Sequence, residues 1–364
     1  MRIKLLIIDD SSFMRSAIRL MLKDDPEIDI VGEARDGASA VQMVERLNPD
    51  VITMDVTMPG LDGVAATRII MERFPRPIIM LSGMADEGGE TTVSALEAGA
   101  VDYIPKQSSF AQLDIVQIGT ELHKKIRYWG ERHVLASGGR LQSYQNAPVR
   151  SLREWSGGFH PELVVVGVST GGPMIMARFL RSMGPLTCPV VIAQHMPSSF
   201  TEGYAQHLKM DTGLNVLQAS DRMVLLPGMV AVCPGGVDTT LRESTPGRLI
   251  SCIAHTAAPS IHPSVDLLFT SAARLKRRVA AVVMTGMGSD GTLGARSVAD
   301  RGFPVLAQNP GECTVDGMPS SAIESGAVAE VLTINGIGAR LRQWAGSPAD
   351  DAGTYYSRRS GELT

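Results

Sequence analysis

The sequence predicts an α/β protein made of two doubly wound parallel-sheet domains, and three observations predict it. The chain has 364 residues, more than one typical domain. Short runs rich in Val, Ile and Leu alternate with amphipathic stretches in two series, over residues 1–129 and 160–346. Between the two series, over residues 130–159, the pattern dissolves into Gly, Ser, Arg and Gln with no sustained period of two or 3.6, as an interdomain linker does.

The first series occupies residues 1–129. KLLIIDD reads as a strand, SFMRSAIRLMLK as a helix, DIVGEA as a strand, ASAVQMVERL as a helix and VITMD as a third strand. GVAATRIIMERF follows as a helix, PIIMLS as a strand, ETTVSALEAGA as a helix stopped by Gly99, and VDYIPK as the fifth strand. Continuous apolar strands separated by helices require a parallel sheet covered on both faces, which makes this a (βα)5 domain. A second, Rossmann-like series fills residues 160–346. It runs through LVVVG, a helix around MIMARFLRSM, PVVIAQH, a helix after SSFTEGYAQHL, AAVVMTG and FPVLAQN. VLLPGMVAVCPGGVDTTLRE interrupts it with two β-rich runs around Pro-Gly and Gly-Gly turns, which predicts an antiparallel excursion. Residues 347–364 are polar and expected to be a mobile tail.

Composition narrows the function classes. With 44% hydrophobic and 20% charged residues the chain is an ordinary globular protein, and it lacks the roughly 18-residue apolar run of a membrane span. The N-terminal MRIKLLIIDDSS is too short in its apolar part, and too acidic after it, to be a secretory signal, so a cytoplasmic location without membrane insertion is expected. A net charge of -4 provides no basic field for a phosphate backbone, so no nucleic-acid partner is expected. Cys188, Cys233, Cys252 and Cys313 form no CxxC pair and read as reduced core residues.

In parallel sheets the chemistry gathers where strands end, because the loops of the carboxyl edge converge over a crevice. The first domain places Asp9 and Asp10 after its first strand, Asp55 after its third, Ser82 after its fourth and Lys106 after its fifth. Three converging carboxylates repel one another, and a hard cation such as Mg²⁺ compensates them through oxygen ligands. A carboxylate beside that ion can attack a phosphoryl donor, and Asp55 is the best placed.

In the second domain LVVVGVSTGGPM is a strand, a Gly-rich turn and a helix. A dinucleotide fingerprint needs glycine at 167, 169 and 172, but 169 is serine, and the next strand ends in His195 where a ribose-binding acid is required. Ser169 reads instead as a nucleophile on a sharp turn, with Gly171 and Gly172 permitting close backbone approach. His195 and Asp290 also follow strands, so the three can overhang one edge as nucleophile, base and orienting acid. His262 with Asp266, at helical spacing, is a rival base and acid pair or a loop stabiliser. His255 with His262 lacks a third metal ligand nearby. His123, His133, His160 and His207 read as surface residues.

Two stretches carry a family resemblance. Residues 3–128, with MDVTMPGLDG around Asp55, resemble a response-regulator receiver domain. The resemblance implies that Asp9, Asp10 and Asp55 bind Mg²⁺, that Asp55 accepts phosphate, that Ser82 and Lys106 sense it, and that Tyr103 is an aromatic switch. Gln107 departs from the family, which usually has proline after its lysine. GVSTGGP, QHMP, HPSVDLLF, MTGMGSDG and DGMPSSAI, over residues 161–340, resemble the CheB family of chemotaxis protein-glutamate methylesterases. That resemblance implies Ser169 as nucleophile, His195 as base and Asp290 as its orienter, with Thr170 positioning the imidazole and the backbone near Met287 binding the oxyanion. It further implies hydrolysis of glutamate methyl esters and deamidation of glutamines on methyl-accepting chemotaxis receptors. The phosphodonor would be the chemotaxis histidine kinase CheA, the esterase would need no cofactor, and the unphosphorylated receiver would cover the cleft. The competing classes are a receiver-linked DNA-binding output and a catalytically idle adaptor. The charge and the βα pattern disfavour the first, and the presence of Ser169, His195 and Asp290 disfavours the second.

Overall fold

The computed structural model describes residues 2–83, 94–95, 98–106, 112–137, 159–244, 248–254 and 262–345. The chain divides into two compact units, Met1–Ser143 and Tyr144–Thr364.

In the first unit, strands β1 (Ile3–Ile8), β2 (Ile28–Ala34), β3 (Val51–Asp55), β4 (Ile78–Gly83) and β5 (Asp102–Lys106) form one sheet in the order β2-β1-β3-β4-β5. All four pairings are parallel. Helices α1 (Ser12–Leu22), α2 (Gly37–Leu47), α3 (Gly63–Arg73) and α4 (Gln112–Ser137) accompany it. The first three start where their sequences say they should: Ser11, Asp36 and Asp62 each accept a backbone N–H three residues on, satisfying donors that the first turn leaves open. The order reverses at β1, which puts a crevice at the carboxyl ends of β1 and β3. The helix expected over ETTVSALEAGA falls only partly within the described residues, where Ser94 and Ala95 are helical. Helix α4 continues to Ser137, into the stretch read as linker. Its apolar positions Leu122, Ile126 and Trp129, which precede that stretch, are buried at helical spacing.

The second unit has a seven-stranded sheet in the order β14-β13-β12-β6-β7-β9-β8. Its members are β6 (Leu163–Val168), β7 (Val190–Gln194), β8 (Asn215–Gln218), β9 (Met229–Val232), β12 (Val279–Val283), β13 (Val305–Gln308) and β14 (Glu330–Leu332), and all pairings are parallel. Helices α5 (Gly172–Met183), α6 (Ser198–Thr212), α7 (Val265–Ala273), α8 (Thr292–Asp300), α9 (Gly317–Glu324) and α10 (Ile334–Ala345) complete it. Residues of β6, β7 and β12 are fully buried, as a strand covered on both faces requires.

The antiparallel excursion exists but is not the one the turns suggested. MVAV, its first β-rich run, pairs in parallel with β7 and β8 as β9. Only the second run, as β10 (Asp238–Ser244), pairs antiparallel, with β11 (Arg248–Ala254). Turn residues locate a reversal but do not choose the partner; burial of Val230, Ala231 and Val232 in the main sheet does. Two cysteines also differ from expectation. Cys188 and Cys233 are buried, and burial pushes both thiols up to about 12. Cys252 and Cys313 are only half-buried.

Candidate functional site

The crevice of the first unit is built by the sequence around Asp55. Gly63 lies so close under β3 that a Cβ there would stand 1.9 Å from the Asp55 carbonyl oxygen, and its N–H donates to the Val56 carbonyl at 2.9 Å. The turn MPGLDG therefore packs α3 directly beneath the acid. Asp9, Asp10 and Asp55 present carboxylate oxygens that all lie within 4.8 Å of one another. Lys106 reaches in from β5, with Nζ 2.8 Å from Asp9 Oδ2 and 2.7 Å from Asp55 Oδ1. Burial nevertheless pushes Asp55 up to about 6, against the hydrogen bond and charge of Lys106, and the charges of Asp9 and Asp10 add to the rise. One ammonium thus leaves negative charge uncompensated, and an all-oxygen donor set of this kind fits a hard divalent cation. Tyr103 is buried on β5, with the Lys125 ammonium 5.9 Å from its ring centre. Ser82 is opposite Pro105 in the β4–β5 register; its side chain and Gln107 lie outside the described residues.

In the second unit the sheet order reverses at β6, between β7 and β12. Ser169 follows β6, His195 follows β7, and Asp290 follows β12 after a turn. Val168 and Gln194 are register partners, so Ser169 and His195 leave adjacent strands side by side, about 5 Å apart at the backbone. The His195 N–H donates to the Val168 carbonyl at 3.0 Å. Gln194 Nε2 ties the two ends together, donating to the carbonyls of Ser169 (2.9 Å) and His195 (3.2 Å). The turn after Ser169 needs its glycines: Gly171 has φ +79°, and a Cβ there would meet Thr314 at 2.4 Å. Ser169 and Thr170 are both buried, and the Thr170 carbonyl accepts from Thr285 Oγ at 2.9 Å. Met287 is half-buried; its neighbour Gly286 packs so tightly on Ser169 that a Cβ would meet the serine Cβ at 2.7 Å.

The imidazole and the acid meet. His195 Nε2 is 2.8 Å from Asp290 Oδ2, while Nδ1 is buried without a hydrogen-bond partner. The carboxylate thus holds the proton on Nε2 and leaves the Nδ1 lone pair open as a base. Asp290 itself rests on the N-terminus of α7, where the N–H groups of Val265 (2.8 Å) and Asp266 (2.9 Å) donate to it. The helix cap, Ser264, donates its hydroxyl to Asp290 Oδ1 at 3.3 Å. Burial works to raise the Asp290 pKa, but the hydrogen bond and charge of His195, with the two backbone donors, outweigh it and leave the carboxyl below its ordinary value.

The rival pair does not form. His262 Nδ1 meets Asp238 at 3.0 Å, and Asp266 instead accepts the Gly294 N–H at 2.7 Å at the start of α8. Asp238 also accepts the Ser264 N–H at 2.7 Å, so His262 and Asp238 brace the loop that carries the α7 cap. His255 lies outside the described residues, as does the side chain of His133. Two of the histidines read as surface groups are anchored: His123 pairs with Asp25 at 3.0 Å, and His160 Nδ1 is 2.8 Å from the Trp344 carbonyl. Sequence reasoning did not single out Gln194, Ser264 or Thr285. A polar residue at or just beyond a buried strand end was the available signal for Gln194 and Thr285, and Ser before an apolar helical run for Ser264.

The CheB methylesterase family model matches residues 164–341, and the response regulator receiver domain model matches residues 5–116. A protein-glutamate methylesterase/protein-glutamine glutaminase of Oleidesulfovibrio alaskensis is 36% identical, over 92% of this chain and 96% of its own. One of Geobacillus kaustophilus is 37% identical, over 94% of this chain and 99% of its own. Among solved structures, the Thermotoga maritima CheB methylesterase catalytic domain (34% identity, TM-score 0.48) covers 50% of this chain and 97% of that one. The response regulator domain of Thermotoga maritima CheB (40% identity, TM-score 0.34) covers 36% and 98%. With two family models in tandem and relatives aligned over more than nine-tenths of both chains, the chain belongs to the CheB family, hydrolases that join a response-regulator receiver domain to a protein-glutamate methylesterase/protein-glutamine glutaminase domain.

Proposed function

We propose that this chain hydrolyses glutamate γ-methyl esters, and deamidates glutamines, on methyl-accepting chemotaxis receptors through Ser169, His195 and Asp290. The observation that carries the reading is the 2.8 Å pair of His195 Nε2 and Asp290 beside the Ser169 turn, with the opposite ring nitrogen unengaged. Ser169 Oγ attacks the γ-carbonyl carbon while His195 Nδ1 takes its proton. The imidazolium, stabilised by Asp290, returns that proton to the leaving methoxide, or to the amide nitrogen of a glutamine. Water, deprotonated by the same nitrogen, then cleaves the acyl-enzyme to free glutamate. Thr170 positions the imidazole, and the backbone at Met287 donates to the oxyanion. Neither step needs a cofactor.

Control lies in the first unit. Asp9, Asp10 and Asp55 hold Mg²⁺, which when bound offsets the charge of the incoming phosphoryl oxygens. Asp55 is the phosphoacceptor, Lys106 and Ser82 contact the phosphate, Tyr103 responds to it, and the phosphodonor is the chemotaxis histidine kinase CheA. The reading is tested by base-labile methyl release from methylated receptor membranes. The wild-type chain should release methanol and Ser169→Ala should not; a fluorophosphonate should label the first protein only. Equal release by both would overturn the assignment of the nucleophile.

A further inference from the structure

The β10–β11 ribbon has one face packed on the molecule and one face unused by the chemistry above. Leu241 and Leu249 are buried, and the Leu241 N–H donates to Ser271 Oγ of α7 at 3.0 Å. The other face follows from the antiparallel register, which pairs Arg242 with Ile250 and Ser244 with Arg248 and puts all four side chains on one side. There Val224, Ile250 and Cys252, all half-buried, floor an open groove rimmed by Arg222, Arg242 and Arg248, all exposed. Arg222 is partly engaged, 3.7 Å from Asp221. Arg242 and Arg248 pair with no carboxylate among the described residues. In a chain of net charge -4, this is a local cationic rim over an apolar floor.

We infer that this groove docks the acidic segment of the protein substrate that bears the methylated glutamates. The inference rests on the esterase reading and extends it from the reacting group to the segment around it. A segment that presents free glutamates beside an esterified one is anionic, and each ester hydrolysed adds one carboxylate to it. Guanidinium forks match carboxylates in pairs, and the apolar floor accepts the hydrophobic side of an amphipathic helix. The position suits such a role. Asp238, the first residue of β10, anchors Ser264, which touches Asp290. Arg242 lies four residues along that strand, roughly 14 Å away, a span that about ten residues of helix cover. One consequence follows from charge alone: a segment already partly demethylated binds the rim more tightly than a fully esterified one, so that neighbouring esters on one segment are removed in succession.

The test compares two substrates on the full-length chain: a blocked glutamate γ-methyl ester, too small to reach the rim, and a glutamate-rich helical peptide of about 30 residues carrying one such ester. The proteins are wild type, a doubly reversed variant (Arg242→Glu with Arg248→Glu) and a charge-retaining one (Arg242→Lys with Arg248→Lys). The reversed variant should lower the ratio of kcat/KM on the peptide to kcat/KM on the small ester about tenfold or more, through KM, and flatten its salt dependence. The lysine variant should keep most of the ratio. An unchanged ratio in the reversed variant overturns the inference, whether both activities hold or both fall. So does loss of binding to phosphatidylglycerol vesicles with peptide kinetics intact, which would assign the groove to a lipid surface. A wild-type chain that cleaves neither ester even after treatment with acetyl phosphate and Mg²⁺ overturns the esterase reading itself, and the docking inference with it.

Discussion

At the scale of single residues, the second unit relies on a carboxylate whose lone pairs are all engaged. Asp290 receives His195, the Ser264 hydroxyl and two backbone N–H groups. Asp290→Asn keeps the volume but can present an N–H where the imidazole proton must be accepted, so the ring turns or loses the tautomer that frees Nδ1. Single-turnover methyl release should fall by about 10³-fold or more with little change in thermal midpoint. Gly171→Ala belongs to the same scale and acts differently. A side chain at φ +79° is strained and also collides with Thr314. Both stability, read by thermal melting, and turnover should drop together. Ser169, His195 and Asp290 could be singled out in the sequence because each follows an apolar run. What could not be seen is that the Nε2 side of the ring faces the acid, since only the approach of α7 sets that orientation.

At the scale of elements, two helix ends are informative. Helix α7 is a cradle for Asp290 as well as a packing element, and Ser264 caps it, accepting the Leu267 N–H at 3.3 Å. Ser264→Ala should cost about 1 kcal/mol in chemical denaturation and lower kcat more than it raises KM, because the acid loses a contact while the substrate does not. In the first unit, Asp25, just after α1, accepts two hydrogen bonds from Arg127 of α4, at 2.8 and 2.9 Å. The Arg127 guanidinium holds the Asp25 carboxyl down to about 2 from its ordinary 3.8. A carboxyl lowered on folding contributes stability above the unfolded value and loses it as pH falls through the folded one. The tie therefore operates near neutrality and vanishes between pH 3.8 and about 2. Arg127 is 42% exposed, so solvent screening keeps the contribution small. Arg127→Met should destabilise the chain at neutral pH, with the difference from wild type shrinking across that acid window in denaturant titrations. This long-range tie was invisible in the sequence, where the two residues are 102 positions apart.

At the scale of the whole molecule, one chain carries an acidic crevice around Asp55 and a second crevice around Ser169, His195 and Asp290, each at the point where its own sheet reverses strand order. A modification of one changes the activity of the other only if it favours one state of the chain over another by a difference in free energy. Treatment with acetyl phosphate and Mg²⁺ should therefore raise the rate of methyl release from receptor membranes, and Asp55→Asn should abolish the rise while leaving the unstimulated rate measurable. An identical response in the variant would remove Asp55 from the control of the enzyme.

Period and punctuation in the sequence determined a great deal. Apolar runs separated by amphipathic ones mean parallel sheets, parallel sheets put their loops over one edge, and the residues ending those runs were the candidates for chemistry. Acids clustered after β1 and β3, and a serine, a histidine and an acid followed β6, β7 and β12, because local pattern reports where a strand stops. Pattern does not report which distant segment arrives there. Tertiary structure alone decided that β9 joins the main sheet, that His262 meets Asp238 and not Asp266, that α7 cradles Asp290, and that Arg222, Arg242 and Arg248 line one groove on the β10–β11 ribbon. Each of those outcomes turns on competition among partners far apart in the chain, settled by which arrangement buries apolar surface while leaving the fewest polar groups unmatched.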